Sequence, residues 1–194
     1  MDDTVEWFRP TSGRVLGVVG LVTAAGVLAL AVRYHAEDSS LSIGLGAACA
    51  AVLIWSSMLR PRVGVSSSTL VLRNMLETVR LPVAAVEELA VRQVLAVRVG
   101  DRRYISPAIG KSWRSLARGA VGRSRVEADR TPDYQTFVED RIRRLADDAR
   151  AQAGVRRGSP EQLALAAGVR REPAWLEIAL LAVTGIGFVG SLLV

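Results

Sequence analysis

Three long apolar runs interrupt a chain that otherwise carries charges at short intervals. Val15–Val32 holds 18 residues without a charge, Leu41–Leu59 holds 19, and Ile178–Val194 holds 17. A helix needs about 20 predominantly apolar residues to cross the hydrocarbon core of a bilayer, and Trp175 and Leu176 extend the third run to about that length. The pattern therefore predicts three transmembrane helices.

The first two runs are joined by only eight residues, Arg33–Ser40, so we expect an antiparallel helical hairpin. A cleaved signal peptide fits the first run poorly, because acidic residues precede it and a second span follows closely. Arginines lie close to the end of the second run and the start of the third, whereas the hairpin loop has one. The positive-inside rule then predicts a multi-pass protein of the plasma membrane, with the N-terminus and central region in the cytoplasm and the C-terminus outside.

Apolar and polar positions alternate with a period of two between Arg62 and Ser106, which is typical of strands. About six short strands are predicted, with turns at Ser66–Ser68 and Gly100–Asp101. This spacing indicates a small antiparallel sheet or a partly open barrel.

From Thr131 the period changes to that of a helix, with Thr131 as the expected cap and Pro132 as the first helical residue. One face of this helix is apolar: Tyr134, Val138, Ile142, Leu145 and Ala149. The stripe either packs on the sheet or faces a partner protein. Ser159 and Pro160 begin a second, short helix that is expected to end near Gly168.

Several short patterns follow one another in the first half of the chain. After the two apolar runs come Arg60-Pro61-Arg62-Val63, a strand ending Leu72-Arg73-Asn74, a Leu81-Pro82 step, and a strand pair closed by Gly100-Asp101. In these features the chain resembles short bacterial membrane proteins with a PH-like (pleckstrin-homology-like) domain, which are common in actinobacteria. The resemblance covers about Val15 to Ser112 and implies a PH-like antiparallel β-barrel on the cytoplasmic face, with no known activity.

The expected fold class is membrane α plus β. Its predicted parts are a cytoplasmic N-terminus (1–14), a two-helix transmembrane hairpin (15–59), a PH-like β domain (60–112), a basic segment with cytoplasmic helices (113–172) and a third transmembrane helix (173–194).

The residue composition and short motifs exclude several kinds of functional site. Cys49 and His35 are the only residues of their kinds, which excludes an internal disulfide and a Cys/His zinc site. The run GIGFVG at Gly185–Gly190 matches a dinucleotide-binding fingerprint, but it lies in the third apolar run and lacks the following helix and acidic residue. No nucleophile, base or metal set converges elsewhere in the sequence. We therefore expect no catalysis, no cofactor, no metal and no small-molecule substrate.

The basic charge lies in the central region. From Arg60 to Glu172 there are 22 basic and 13 acidic residues, a local net charge of +9. Basic clusters beside a membrane bind anionic lipid headgroups, each cation contributing about 1 kcal/mol. The candidate headgroup contacts are Arg60, Arg62, Lys111, Arg114 and Arg118. Alternatively, these side chains are only solvated or only set the topology; nucleic acid is not expected, because no stacking platform or recognition helix accompanies them.

Small residues inside apolar runs allow close approach of helices in lipid. The candidate packing positions are Gly20, Gly44, Gly187 and Ser191. The alternative is that these residues face lipid.

Two functions remain open at the level of sequence. The first is a membrane-anchored adaptor or scaffold at the inner leaflet, which binds membrane lipids and another membrane or cytosolic protein. The second is a small accessory subunit of a membrane protein complex, bound through its glycine-rich helices. A stoichiometric integral-membrane partner would indicate the subunit, and a transient cytosolic partner the adaptor.

Overall fold

A computed structural model describes residues 4–8, 13–34, 40–91, 94–109 and 134–193. The chain combines helices with antiparallel sheets and divides into two compact units. The sheet unit comprises Met1–Ser12, Pro61–Asn74 and Thr78–Glu172, and the helical unit comprises Gly13–Arg60, Met75–Glu77 and Pro173–Val194.

The described strands form two sheets. They are β1 (Glu6–Phe8), β2 (Arg62–Val65), β3 (Thr69–Arg73), β4 (Glu77–Pro82), β5 (Glu88–Val91), β6 (Leu95–Val99), β7 (Arg102–Ser106) and β8 (Arg170–Pro173). One sheet has the order β1-β2-β3-β4-β8 and the other the order β5-β6-β7. The β1–β2, β2–β3, β3–β4, β5–β6 and β6–β7 pairs are all antiparallel.

Strands β2 to β7 lie where the alternation predicts them, so the prediction of a small antiparallel sheet structure is confirmed. The pairings among the described residues give two separate sheets and do not close a barrel. Strands β1 and β8 were not predicted. Arg170 and Arg171, which are the arginines closest to the start of the third apolar run, begin β8. All four residues of this strand are exposed, so their burial shows no alternation.

The inward-facing side chains of both sheets form one hydrophobic cluster. Among its members, Leu70, Leu72, Leu81, Leu95 and Val97 are fully buried. Gly100, at the predicted turn between β6 and β7, has φ 57°, a left-handed conformation that L side chains rarely adopt. Gly64 is required for a different reason, because a Cβ there would lie 2.7 Å from Val5 and 2.9 Å from the Trp7 ring.

Helix α3 (Tyr134–Ala153) closes one side of this core. Its predicted cap and first residue, Thr131 and Pro132, lie outside the described residues. Val138 and Ile142 are fully buried in the cluster. The apolar stripe therefore packs on the sheet unit, as the first of the two alternatives predicts.

Helix α4 (Pro160–Leu165) is followed by a 3₁₀ turn, Ala166–Gly168, in agreement with the predicted end. Ser159 caps it, because its hydroxyl oxygen accepts a hydrogen bond from the backbone N–H of Gln162. A hydrogen bond with the Ser159 side chain, aided by the backbone N–H of Glu161, lowers the pKa of the exposed Glu161 carboxyl. The predicted start signal is thus confirmed.

The helical unit contains α1 (Arg14–Arg33), α2 (Ser40–Ile54) with a π-helical turn at Trp55–Leu59, and α5 (Trp175–Ser191). Helix α2 contacts both others, and the contacting residues run in opposite directions along each pair. Among the described helices, Arg14–Arg33 and Ser40–Leu59 are long and apolar enough to cross a membrane. Helix α5 has 17 residues and is about 25 Å long, shorter than a hydrocarbon core of about 30 Å.

Candidate functional site

A buried ion pair lies within the helical unit, close to the end of α2. The Arg60 Nε donates to Glu177 Oε1 at 2.6 Å, and the two side chains are 7% and 14% exposed. Arg60 Nη1 also donates to the backbone carbonyls of Met75 and Glu77, at 3.3 and 3.5 Å. We call Arg60, Glu177 and these two carbonyls the Arg60 cluster.

Local backbone geometry places both charges of the cluster. Arg60 directly follows the π-helical turn, and its N–H bonds to the carbonyl of Trp55, five residues earlier. Short π-helical segments within α-helices are frequent at functional sites. Glu177 lies in the first turn of α5, where the positive end of the helix dipole favours an anionic side chain.

The third part of the cluster is the chain segment Met75–Glu77. Besides accepting from Arg60, this segment bonds to the start of α5, because the carbonyl of Leu76 accepts the N–H of Ala174 at 2.8 Å. A planar guanidinium can donate to a carboxylate and to carbonyls at the same time, which lysine does less well. The arrangement is suited to holding two helix ends and one loop together.

The predicted headgroup candidates have different positions. Arg60 is enclosed by protein partners, whereas Arg62 is exposed and lies directly opposite the exposed Arg73 across β2 and β3. The buried position of Arg60 follows from its carboxylate and carbonyl partners, so its headgroup role is not supported by this geometry. The other three candidates, Lys111, Arg114 and Arg118, lie outside the described residues.

The predicted packing glycines lie at helix contacts. A Cβ on Gly20 would lie 3.0 Å from Ile54, on Gly44 3.6 Å from Ala31, and on Gly187 3.4 Å from Leu45. All three therefore face a neighbouring helix of the same unit.

Ser191, the fourth packing candidate, contacts α2 through its backbone. Its carbonyl accepts from the Ser42 hydroxyl at 3.0 Å, while its own hydroxyl donates to the carbonyl of Phe188. A further close approach was not predicted: a Cβ on Gly46 would lie 3.0 Å from the Phe188 ring.

A groove of about 230 Å³ lies between β5 and α3 in the sheet unit. Its polar groups are engaged by the protein itself. Arg143 donates to the carbonyl of Leu89, Arg157 donates to that of Glu87, and Glu139 accepts from the N–H of Val91. These side chains cover the edge of β5, as proteins commonly do at unpaired strand edges.

Two further polar side chains donate hydrogen bonds to the backbone that precedes β5. Arg150, which is buried, donates to the carbonyl of Val86 at 2.8 Å and to the carboxylate of Asp147. Gln162, also buried, donates to the carbonyls of Ala84 and Val86. On α3, Arg143 pairs with Glu139 at 2.5 Å, and Arg144 donates to the backbone carbonyl of Asp140.

No group of three or more His, Cys, Asp or Glu side chains that could hold a metal ion occurs within the described part of the chain. The chain matches no protein-family model, no curated protein and no solved structure. The resemblance to PH-like membrane proteins therefore stays a prediction.

The Arg60–Glu177 pair was not predicted from the sequence. Arg60 was predicted only as a headgroup contact, and no role was predicted for Glu177. Their opposite charges, at the end of one predicted span and the start of another, were the one available signal. Because 117 positions separate them, only the docking of α2 against α5 brings them together.

Proposed function

We propose that this chain is a non-catalytic membrane protein, in which the helical unit anchors the sheet unit at the inner leaflet as an adaptor or scaffold for another protein. The observation that carries the proposal is the exposure of the apolar helices. Only 17% of the apolar window in Arg14–Arg33 is buried, and 11% of that in Ser40–Leu59. The core helix of a soluble protein would be mostly buried, so lipid is the natural cover for these surfaces.

The contacts of α1 support its retention in the mature protein. Gly17 and Gly20 lie against Met58, Leu59 and Ile54, so α1 is packed along α2. A signal peptide that is removed has no lasting packing partner. With α5 as a third span, antiparallel packing on α2 would put the two termini on opposite sides of the membrane, and the arginine distribution favours a cytoplasmic N-terminus.

The sheet unit supports the proposed PH-like character through its order of elements. Strands β2 to β7 of its two antiparallel sheets lie within the range that the resemblance covers, and an amphipathic helix packs on their core. The exposed Arg62 and Arg73 lie opposite each other on β2 and β3, close in sequence to the end of α2. They extend the proposed basic surface for anionic headgroups.

Alkaline carbonate extraction of membranes from cells that express the full chain tests the anchor. The chain should stay in the membrane pellet with an integral control protein, whereas release with peripheral proteins would contradict the proposal. A reporter fused after Val194 should be active only if it works outside the cytoplasm, and one inserted at Ser68 only if it works inside. The reverse pair of results would contradict the orientation.

One observation favours the second candidate, an accessory subunit of a membrane complex. A Cβ on Gly26 of α1, or on Gly185 or Gly190 of α5, would meet nothing within 4 Å. These open positions would allow a helix of another membrane protein to approach closely. Purification in mild detergent separates the candidates, since a stoichiometric integral-membrane partner indicates the subunit and a transient cytosolic partner the adaptor.

A further inference from the structure

The outer face of the three-stranded sheet carries two rows of side chains, which we call the arginine face. The first row crosses all three strands as Glu88, Arg98 and Arg103, because Glu88 pairs with Arg98 and Arg98 with Arg103. The second row runs beside it as Ala90, Ala96 and the half-exposed Ile105.

The rows enclose a shallow groove of about 330 Å³, within the range of roughly 300–1,000 Å³ typical of ligand sites. Its floor is formed by the small side chains of Ala90 and Ala96. Arg98, Arg102 and Arg103 line its rim.

The charges on this face are unbalanced. Arg98 is shared between Glu87 and Glu88 at 3.9 and 3.7 Å. Arg102 and Arg103 are exposed and form no ion pair with any residue that the structure describes. Like charges directly opposite each other across a strand pair are destabilising, and the two carboxylates lie within ion-pair distance of Arg98 and not of Arg103 among the described residues. An anionic group beside Arg103 would therefore relieve the repulsion between the two arginines.

We propose that the arginine face binds an acidic peptide segment of a partner protein, with a carboxylate bridging Arg98 and Arg103 and a small apolar side chain over Ala90 and Ala96. Guanidinium groups bind carboxylates by paired, charge-assisted hydrogen bonds. The inference deepens the proposed adaptor function, on which it rests for the assumption of a protein partner.

Two features favour a peptide over a lipid headgroup or nucleic acid. Glu88 and Asp101 line the same groove, so a uniformly polyanionic surface would meet like charges there. The alanine floor and exposed Ile105 add apolar contact area that a phosphodiester would not use. A segment in which carboxylates flank an apolar residue matches both the charge and the floor of the groove.

The test uses the full chain in detergent micelles and a fluorescent peptide of sequence Glu-Glu-Leu-Glu-Glu. Saturable binding is expected, and Arg103→Glu should weaken it about tenfold or more. The variant should remain folded, because Glu opposite Arg98 replaces a repulsive cross-strand pair with an attractive one; its melting temperature should not fall. Arg103→Gln, which only removes the charge, should weaken binding in the same direction.

Arg156→Glu is the matched control, since Arg156 is exposed, forms no ion pair within the described ranges and does not line the groove. It changes the net charge equally and should leave binding intact. Equal loss in both variants, or no saturable binding up to about 1 mM, would overturn the proposal. So would tighter, Arg103-dependent binding of glycerol phosphate, which would assign the face to a headgroup.

A peptide of sequence Gln-Gln-Leu-Gln-Gln should not bind, because it lacks the carboxylates; binding equal to that of the acidic peptide would also overturn the proposal. Release of the chain by carbonate would contradict the proposed membrane anchor, but it would not affect the measured binding of the acidic peptide. The two proposals therefore fail separately.

Discussion

Arginine–carboxylate ion pairs occur in both units, but two of them, one in each unit, differ in solvent exposure and therefore in their expected contribution to stability. In the helical unit, Arg60 and Glu177 are 7% and 14% exposed. In the sheet unit, Arg80 and Glu172 approach to 3.2 Å with 51% and 54% of their side chains exposed. Breaking a buried pair by removal of one partner destabilises a protein by about 3–5 kcal/mol, whereas an exposed pair contributes about 0.2–1 kcal/mol. The same chemistry is thus expected to contribute more at the Arg60–Glu177 pair than at the Arg80–Glu172 pair.

The two units also differ in what their small residues do. In the sheet unit, Gly64 makes room for an aromatic side chain and Gly100 supplies a left-handed turn. In the helical unit, Gly20, Gly46 and Gly187 lie where helix meets helix. Lipid provides little hydrophobic drive between helices, so such close contacts supply much of their association. Substitutions of these helical glycines therefore test the proposed membrane setting as well as the packing.

The largest effect is expected for Glu177→Gln, which removes the carboxylate charge that lies 2.6 Å from the buried Arg60 guanidinium. Association of α2 with α5 should weaken by about 3–5 kcal/mol. A disulfide between cysteines at Ser42 and Ser191, with Cys49 replaced by alanine, reports this association at the opposite end of the pair. Its yield in increasingly denaturing mixed micelles measures the change.

A double variant separates charge from packing at this site. Arg60→Met with Glu177→Leu removes both charges at similar volume and should restore most of the lost stability, since paired apolar replacement of a buried ion pair is often neutral or stabilising. Unchanged crosslinking in Glu177→Gln would show that the Arg60 cluster does not hold the helices.

An intermediate effect is expected for Gly187→Leu. A Cβ at this position would already lie 3.4 Å from Leu45, so the rest of a leucine side chain would separate the helices, at about 1–3 kcal/mol. Gly187→Ala should be tolerated, because that contact is of ordinary van der Waals length. The same disulfide yield measures both variants.

Gly185→Leu is the control for this series, because a Cβ at Gly185 meets nothing within 4 Å. It should leave the crosslink yield unchanged or raise it slightly, since leucine is a better helix former than glycine by about 1 kcal/mol. If Gly187→Leu behaves like Gly185→Leu, Gly187 has no packing role. The proposed difference between the glycines of the two units, that those of the helical unit mediate helix association in lipid, would then be contradicted.

The smallest effect is expected for Glu172→Gln, which makes the same chemical change as Glu177→Gln in an exposed pair. The free energy of unfolding of the sheet unit should fall by about 0.2–1 kcal/mol, and the difference should shrink as salt screens the pair. Denaturant unfolding of the full chain at low and high ionic strength measures it. A loss as large as that for Glu177→Gln would remove the contrast between the two units.

Sequence periodicity predicted the elements whose residues alternate between core and solvent. Strand β4 places Val79 and Leu81 inside on either side of the exposed Arg80, and α3 buries Val138 and Ile142 at helical spacing. Periodicity is a local signal, and these elements depend on local burial. The prediction of their existence and type was therefore confirmed.

Periodicity did not predict the features that depend on partners distant in the sequence. Strand β1 pairs with β2, with Trp7 opposite Gly64, although both apolar helices separate the two strands in the sequence. All residues of β8 are exposed. The Arg60–Glu177 pair likewise depends on helix docking. Neither periodicity nor charge counting encodes which distant residues meet, so these features required the tertiary structure.

The π-helical turn at Trp55–Leu59 sets the direction in which Arg60 points. Because the N–H of Arg60 bonds to the carbonyl of Trp55, five residues earlier, deleting one residue of the turn would give an ordinary α-helical bond between the same two groups and leave Arg60 beside Glu177. Winding the unshortened turn as an ordinary α-helix would instead move Arg60 by about 100° around the axis and about 1.5 Å along it. Between α2 and β2, loss of one residue should therefore be tolerated more readily than tightening of the turn at constant length.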